Sequence, residues 1–109
     1  MLSFGDIVLV PFPFTDLTSM KVRPALVVSR GVSTYGDVIL CFLSSRIDPK
    51  DKSLIILEPD KGNGLKVPSA IRFDKIATLS AGIVLGVLGR VSQEWLRHQR
   101  KRFLSGFGF

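Results

Sequence analysis

Histidine and cysteine are almost missing from this chain: His98 and Cys41 are the single examples among 109 residues. One cysteine cannot close an internal disulfide, and one Cys with one His cannot supply the four ligands of an ordinary zinc site. Any Cys–His or Ser–His–Asp machine would have to use His98 as its base. That residue sits in the basic stretch RHQRKR, where a solvated helix position is expected. Cys41 lies in the apolar run VILCFL and reads as a small buried hydrophobe. Long hydrophobic runs are missing too. None approaches the roughly 20 residues that span a bilayer, and the opening MLSFGD has neither the basic region nor the apolar stretch of a secretory signal. The expectation is a cytoplasmic protein with no membrane association, no metal and no cofactor.

Acidic residues are outnumbered, with 9 Asp and Glu against 15 Lys and Arg, for a net charge of +6. That balance favours an anionic partner such as nucleic acid or an acidic protein segment. Arg90, Arg97, Arg100, Lys101 and Arg102, less Glu94, put +4 of it in the C-terminal segment. Such a run is more often a solvated face than a site.

What the chain does have is eight Phe and many short Val/Ile/Leu runs, punctuated by Gly, Pro, Asp and Ser. This pattern describes β-structure around one modest core, and the length fits one domain over residues 1–109. Strands are expected over residues 6–10, 25–29, 37–43, 54–57, 69–79 and 85–91. Pro11 and Pro13 are expected to end the first ladder, because proline has no amide hydrogen to donate, leaving a loop from Phe12 to Val22. Asn63-Gly64 is a turn signal. Ile71, Phe73 and Leu79 share a register that Ile76 breaks, so a bulge is expected near Asp74-Lys75. Ser92 should cap a helix with Trp95, Leu96, Phe103 and Leu104 on one face and Gly106 at its end. Five or six short strands with one late helix describe a mainly β, partly open barrel, whose closure hides strand edges.

Two junctions carry chemistry. Arg23 precedes Pro24, which restricts it to extended backbone, and a guanidinium held at a strand mouth suits a phosphate. Read alone, an ordinary surface arginine is the better account. Leu43-Ser44-Ser45-Arg46 ends a strand in two hydroxyls and a guanidinium, which is equally the composition of a serine turn. If the second and third strands are antiparallel neighbours, Arg23 begins one where Ser44 ends the other, and the two meet at one end of the pair.

GDIVLVPFPFTD followed by RPALVVS resembles the start of a MazF/PemK-like toxin, the PFPFTD form being similar to one PemK-like branch. The similarity continues through DVILCFLSSR, GLKVPS, DKIATL and LGRVS, and so covers essentially the whole chain. The resemblance implies an SH3-like barrel of five to seven strands, shared with the CcdB gyrase poisons, and a homodimer. It implies a toxin of a type II toxin–antitoxin pair that cleaves single-stranded RNA without a metal. The nucleophile is the RNA 2′-hydroxyl, and the products are a 2′,3′-cyclic phosphate and a 5′-hydroxyl. By the same resemblance, Arg23 and Ser44 match the catalytic arginine and the catalytic Thr/Ser.

An enzyme whose substrate brings its own nucleophile needs to hold the linkage in line and stabilise charge on the phosphorane. A guanidinium and a hydroxyl suffice, and an arginine, always protonated, is not the base. Lys21 and Arg46 are candidate RNA-backbone contacts, with Ser45 beside them. Phe12 and Phe14 fit either a base-stacking platform or, the better account, the core or an antitoxin contact. The Gly-Ser-Glu-like turn of many relatives is absent, and Asp16 is either a substitute for its glutamate or a turn residue. Ser44 keeps the hydroxyl of the more frequent threonine without the methyl that fixes its rotamer. The expected protein partner is a cognate acidic antitoxin that folds on binding. Two other readings share the fold. One is a CcdB-type gyrase poison, whose terminal Trp-Gly-Ile is not matched by the closing SGFGF. The other is a catalytically inactive barrel that binds nucleic acid or protein.

Overall fold

The computed structural model describes residues 1–12 and 21–109. Six strands form one antiparallel sheet: β1 (Asp6–Phe12), β2 (Lys21–Val27), β3 (Asp37–Ser44), β4 (Ile56–Leu57), β5 (Ser69–Ser80) and β6 (Gly86–Arg90). The spatial order is β4-β5-β3-β2-β1-β6. The end strands do not pair with each other, which leaves the barrel partly open. A 3-10 turn, Ala81–Ile83, links β5 to β6, and the chain closes with helix α1 (Gln93–Gly106).

Alternation along the strands supplies a core on both faces of the sheet. Ile7, Leu26, Cys41, Leu43 and Ile71 bury one face under α1, where Trp95, Leu96, Phe103 and Phe107 pack. Val8, Val10, Ala25, Val27, Val38, Leu40 and Phe42 bury the other, against Leu79, Ala81 and Val84. α1 starts where Ser92 accepts the Trp95 amide at 3.0 Å. Its stripe runs through Phe103 to Phe107; Leu104, expected on that stripe, is 41% exposed. It falls roughly 100° round the helix from Phe103, and Phe107 takes the place assigned to it. His98 is exposed on α1, with Nδ1 at 2.9 Å from the Glu94 carbonyl oxygen.

The first loop is shorter than the prolines suggest. Pro11 lies inside β1, paired with Val22, and β2 begins at Lys21, so Pro24 lies inside β2. Both prolines sit where their strand has one neighbour. β6 pairs with β1 only over Asp6–Leu9, and β3 pairs with β2 only over Ala25–Val27. An edge position does not need the missing donor. Pro13, Phe14 and Asp16 lie outside the described residues.

The turn at Gly64 forms with φ +71°. The buried Asn63 organises it, accepting from the Asp60 and Leu65 amides and donating to the Glu58 carbonyl at 2.8 Å. The bulge in β5 also forms. Cys41 pairs with Ile76 and Phe42 with Arg72, so the register shifts across residues 73–75.

Burial pushes the Cys41 thiol up to about 11. The folded chain therefore favours the neutral thiol, and its contribution to stability is complete below the ordinary thiol value of 9.0 and declines as the pH rises towards 11. Cys41 should resist a disulfide-exchange reagent at pH 8 in native protein and react at the free-thiol rate in denaturant. Equal rates in the two conditions would contradict this packing.

Candidate functional site

The cleft begins with a hydrogen bond that cannot form. Just past β2, the Val28 amide donates to the Ile39 carbonyl across the β2–β3 gap, at 2.9 Å. Main-chain groups alternate in direction along a strand, so Leu26 and then Pro24 also point at β3. The β1 side agrees: Leu9, opposite Pro24, turns its carbonyl away from β2 to accept the Leu85 amide at 2.8 Å. The next ladder donor towards β3 is therefore the nitrogen of Pro24, which carries no hydrogen. Pairing between β2 and β3 ends at Ala25 opposite Phe42, and beyond it the two strands part.

Carried on by two residues, that register sets Arg23 opposite Ser44. Side chains two apart share a face, so Arg23 continues the row of Ala25 and Val27, and Ser44 that of Leu40 and Phe42. Arg72 joins the same face as the cross-strand partner of Phe42. These residues surround one open cavity of about 390 Å³, lined by Arg23, Phe42, Leu43, Ser44, Ser45, Arg46, Arg72 and Lys75. The buried Phe42 lies at its floor, and its rim is cationic.

Of the residues named from sequence, Arg23, Ser44, Ser45 and Arg46 come together here. Lys21 is exposed at the start of β2 and does not line the cavity. Ser44 is half-buried, and its Oγ accepts the Arg46 amide at 3.1 Å, which ties the turn while the hydroxyl keeps its own proton to donate. The serine-turn reading and the site reading are thus the same structure.

Arg72 and Lys75 were not singled out in the sequence. β5 reads as one strand, and the pairing that carries Arg72 to Phe42 is not visible from composition. The one signal was the bulge, which places Lys75 at the bend. Arg72 donates from Nε and Nη2 to the two carboxylate oxygens of Asp74, at 2.7 and 2.6 Å. That bidentate contact holds the Asp74 carboxyl below its usual range, with a smaller pull from Lys75. Among the described residues, no group of three or more His, Cys, Asp or Glu side chains is placed to hold a metal ion.

Residues 3–104 match the family model of the PemK-like, MazF-like toxin of type II toxin-antitoxin systems. No curated protein sequence matches the chain. Solved structures share the fold. One is an endoribonuclease from a mycobacterial species in complex with its cognate antitoxin (TM-score 0.72, 16% identity, 99% of this chain and 94% of that one). Another is MazF from Deinococcus radiodurans (TM-score 0.68, 22% identity, 99% and 97%). A third is the MazE–MazF complex of the same organism (TM-score 0.72, 21% identity, 99% and 96%).

Because the folded carboxyl of Asp74 is depressed, the ion pair stabilises the fold above the ordinary aspartate value of about 3.9, and that contribution is lost as the pH falls through the lower folded value. A carbon-detected NMR titration should place the Asp74 midpoint below about 3.9 and return it there in Arg72→Gln. An ordinary midpoint in the wild-type chain would show that the pair does not persist in solution.

Proposed function

The chain belongs to the PemK-like, MazF-like family of type II toxins, and from that premise we propose that its cleft is a metal-independent endoribonuclease site for single-stranded RNA. The observation that carries this reading is the convergence of Arg23, Ser44, Arg46, Arg72 and Lys75 on one cavity. In the proposed reaction the 2′-oxygen attacks phosphorus as the P–O5′ bond breaks. The 2′-hydroxyl proton passes to a base, and a proton reaches the departing 5′-oxygen. A 2′,3′-cyclic phosphate and a 5′-hydroxyl result.

Charge accumulates on the non-bridging oxygens during that step, and preorganised donors at those oxygens lower the barrier. Arg23, fixed in extended backbone by Pro24, is the proposed electrostatic stabiliser. Ser44 donates its hydroxyl proton to the same phosphate. Arg46 and Lys75 neutralise neighbouring phosphates, and Arg72, held flat against Asp74, adds a fixed cation. Ser45 and Lys21 extend the track for the RNA backbone. Phe14 and Asp16, outside the described residues, belong to the same proposal as RNA contacts supplied by the β1–β2 connection.

A structurally similar endoribonuclease was solved with its cognate antitoxin, and a similar MazF with MazE. The proposed partner here is likewise a cognate antitoxin, acidic enough to meet a chain of net charge +6. The proposed assembly is a cytoplasmic homodimer of single-domain chains. Its support is the apolar surface at the end strand of the sheet, where Leu85, Val87 and Leu88 are 59%, 57% and 37% exposed. An uncovered apolar edge is a liability that association removes.

Purified protein should cut a long single-stranded RNA in EDTA and leave cyclic phosphate ends. Arg23→Ala should slow cutting by ~10²–10³ while keeping the circular dichroism of the wild type. Intact RNA at saturating protein, or cutting that EDTA abolishes, would overturn the assignment. Arg46→Ala should lessen the salt dependence of RNA binding, by a slope of about 0.7 if it neutralises one phosphate. An unchanged slope removes Arg46 from the RNA path.

A further inference from the structure

We infer that α1 positions the cleft from behind: Phe73, gripped by Phe103, Phe107 and the bare backbone of Gly106, fixes the bulge that presents Arg72 and Lys75 to the cavity. The inference rests on the ribonuclease reading for its consequence in cleavage, but its geometry stands without it.

The register of β5 on β3 shifts between the Arg72–Phe42 and Ile76–Cys41 pairs. Regular alternation is broken across this segment, so side-chain contacts there bear on where Arg72 points. The Phe73 ring meets Phe103 at a centroid distance of 5.5 Å and an interplanar angle of 71°, and Phe107 at 5.0 Å and 88°. Phe103 and Phe107 meet each other at 5.2 Å, and Phe103 also meets Phe4 at 5.8 Å. All four contacts are edge-to-face, the arrangement that aromatic quadrupoles favour and that fixes ring direction as well as position.

Gly106 completes the grip by having no side chain. A Cβ there would stand 2.7 Å from two carbons of the Phe73 ring and 2.8 Å from a third, well inside van der Waals contact. α1 is itself anchored. Ser92 caps its start, and Arg102 donates to the carbonyls of Lys52 and Leu54, in the chain that follows Ser44–Arg46. No residue of α1 lines the cavity. Phe73 lies between Arg72 and Asp74, whose side chains join each other around it. Displacing the ring turns the backbone on both sides of it, and with it the guanidinium. Phe73 and Gly106 are thus positioning residues that act through Arg72.

Gly106→Ala tests this, because it removes no partner, sits at a helix end without positive φ and substitutes no cavity-lining residue. The expected variant keeps the wild-type circular dichroism. Its Asp74 carboxyl midpoint moves up towards the ordinary value, and the Nε–H resonance of Arg72 moves from its wild-type position. Cleavage falls by about 10- to 100-fold in kcat, the scale of a misplacement of about 1 Å. KM changes less, since Arg23 and Arg46 still bind. Adding Phe73→Leu to Gly106→Ala makes room for the methyl and should recover part of both the resonance position and the rate, a non-additivity that a direct contact requires. A wild-type Asp74 midpoint and a wild-type Arg72 resonance in folded Gly106→Ala overturn the inference. If that variant does not fold, Phe107→Leu is measured in its place: the same two shifts support the inference, and their absence overturns it. If the wild-type protein leaves RNA intact, the ribonuclease reading falls, and the two resonances alone decide the positioning role.

Discussion

The architecture of the cleft depends on one absent proton. The nitrogen of Pro24 faces β3, where the ladder needs a donor, and without it β2 and β3 separate beyond Ala25 and Phe42. A single ladder bond is worth only about 1 kcal/mol net, so the loss is easily carried by a sheet buried on both faces. Its position matters more than its size. It lies at the last rung before Arg23 and Ser44, and those residues keep the shared face without the closed ladder. The result is a concave cationic surface with rigid strands on either side and an apolar floor.

The fold was largely legible because apolar runs and turn residues report local structure directly. The six strands, the turn at Gly64, the cap at Ser92 and the bend in β5 all follow from residues near one another in the chain. The prolines were misread in a revealing way. In sequence Pro11 reads as ending a ladder and Pro24 as standing just before a strand, whereas each lies inside its strand and lacks a donor on one side only, and which side is free depends on strands far away in sequence. Leu104 erred for a local reason: its neighbour Phe107 offers the larger apolar surface one turn further on.

The site was half legible. Arg23 and Ser44 were suggested by their junctions, and antiparallel pairing of consecutive strands was enough to bring them together. Arg72 and Lys75 were not suggested, because a cation within a strand looks like ordinary outward alternation until its partner strand is known. The irregular place of Ile76 gave away the bulge but not its purpose. In sequence Gly106 reads as a helix stop; its contact with Phe73 joins the last turn of the helix to a strand more than thirty residues earlier.

The crowding of like charge around the split has a consequence for what can occupy it. Arg23, Arg46, Arg72 and Lys75 line one small volume, where Asp74 offsets the charge of Arg72. The balance there is positive, and an anion that enters is drawn to it. A carboxylate-rich peptide and a phosphodiester backbone both meet that balance. An inhibitor that settles there does not have to imitate a nucleotide; it has only to bring negative charge at the right spacing, and two such occupants are mutually exclusive by electrostatics before shape is consulted.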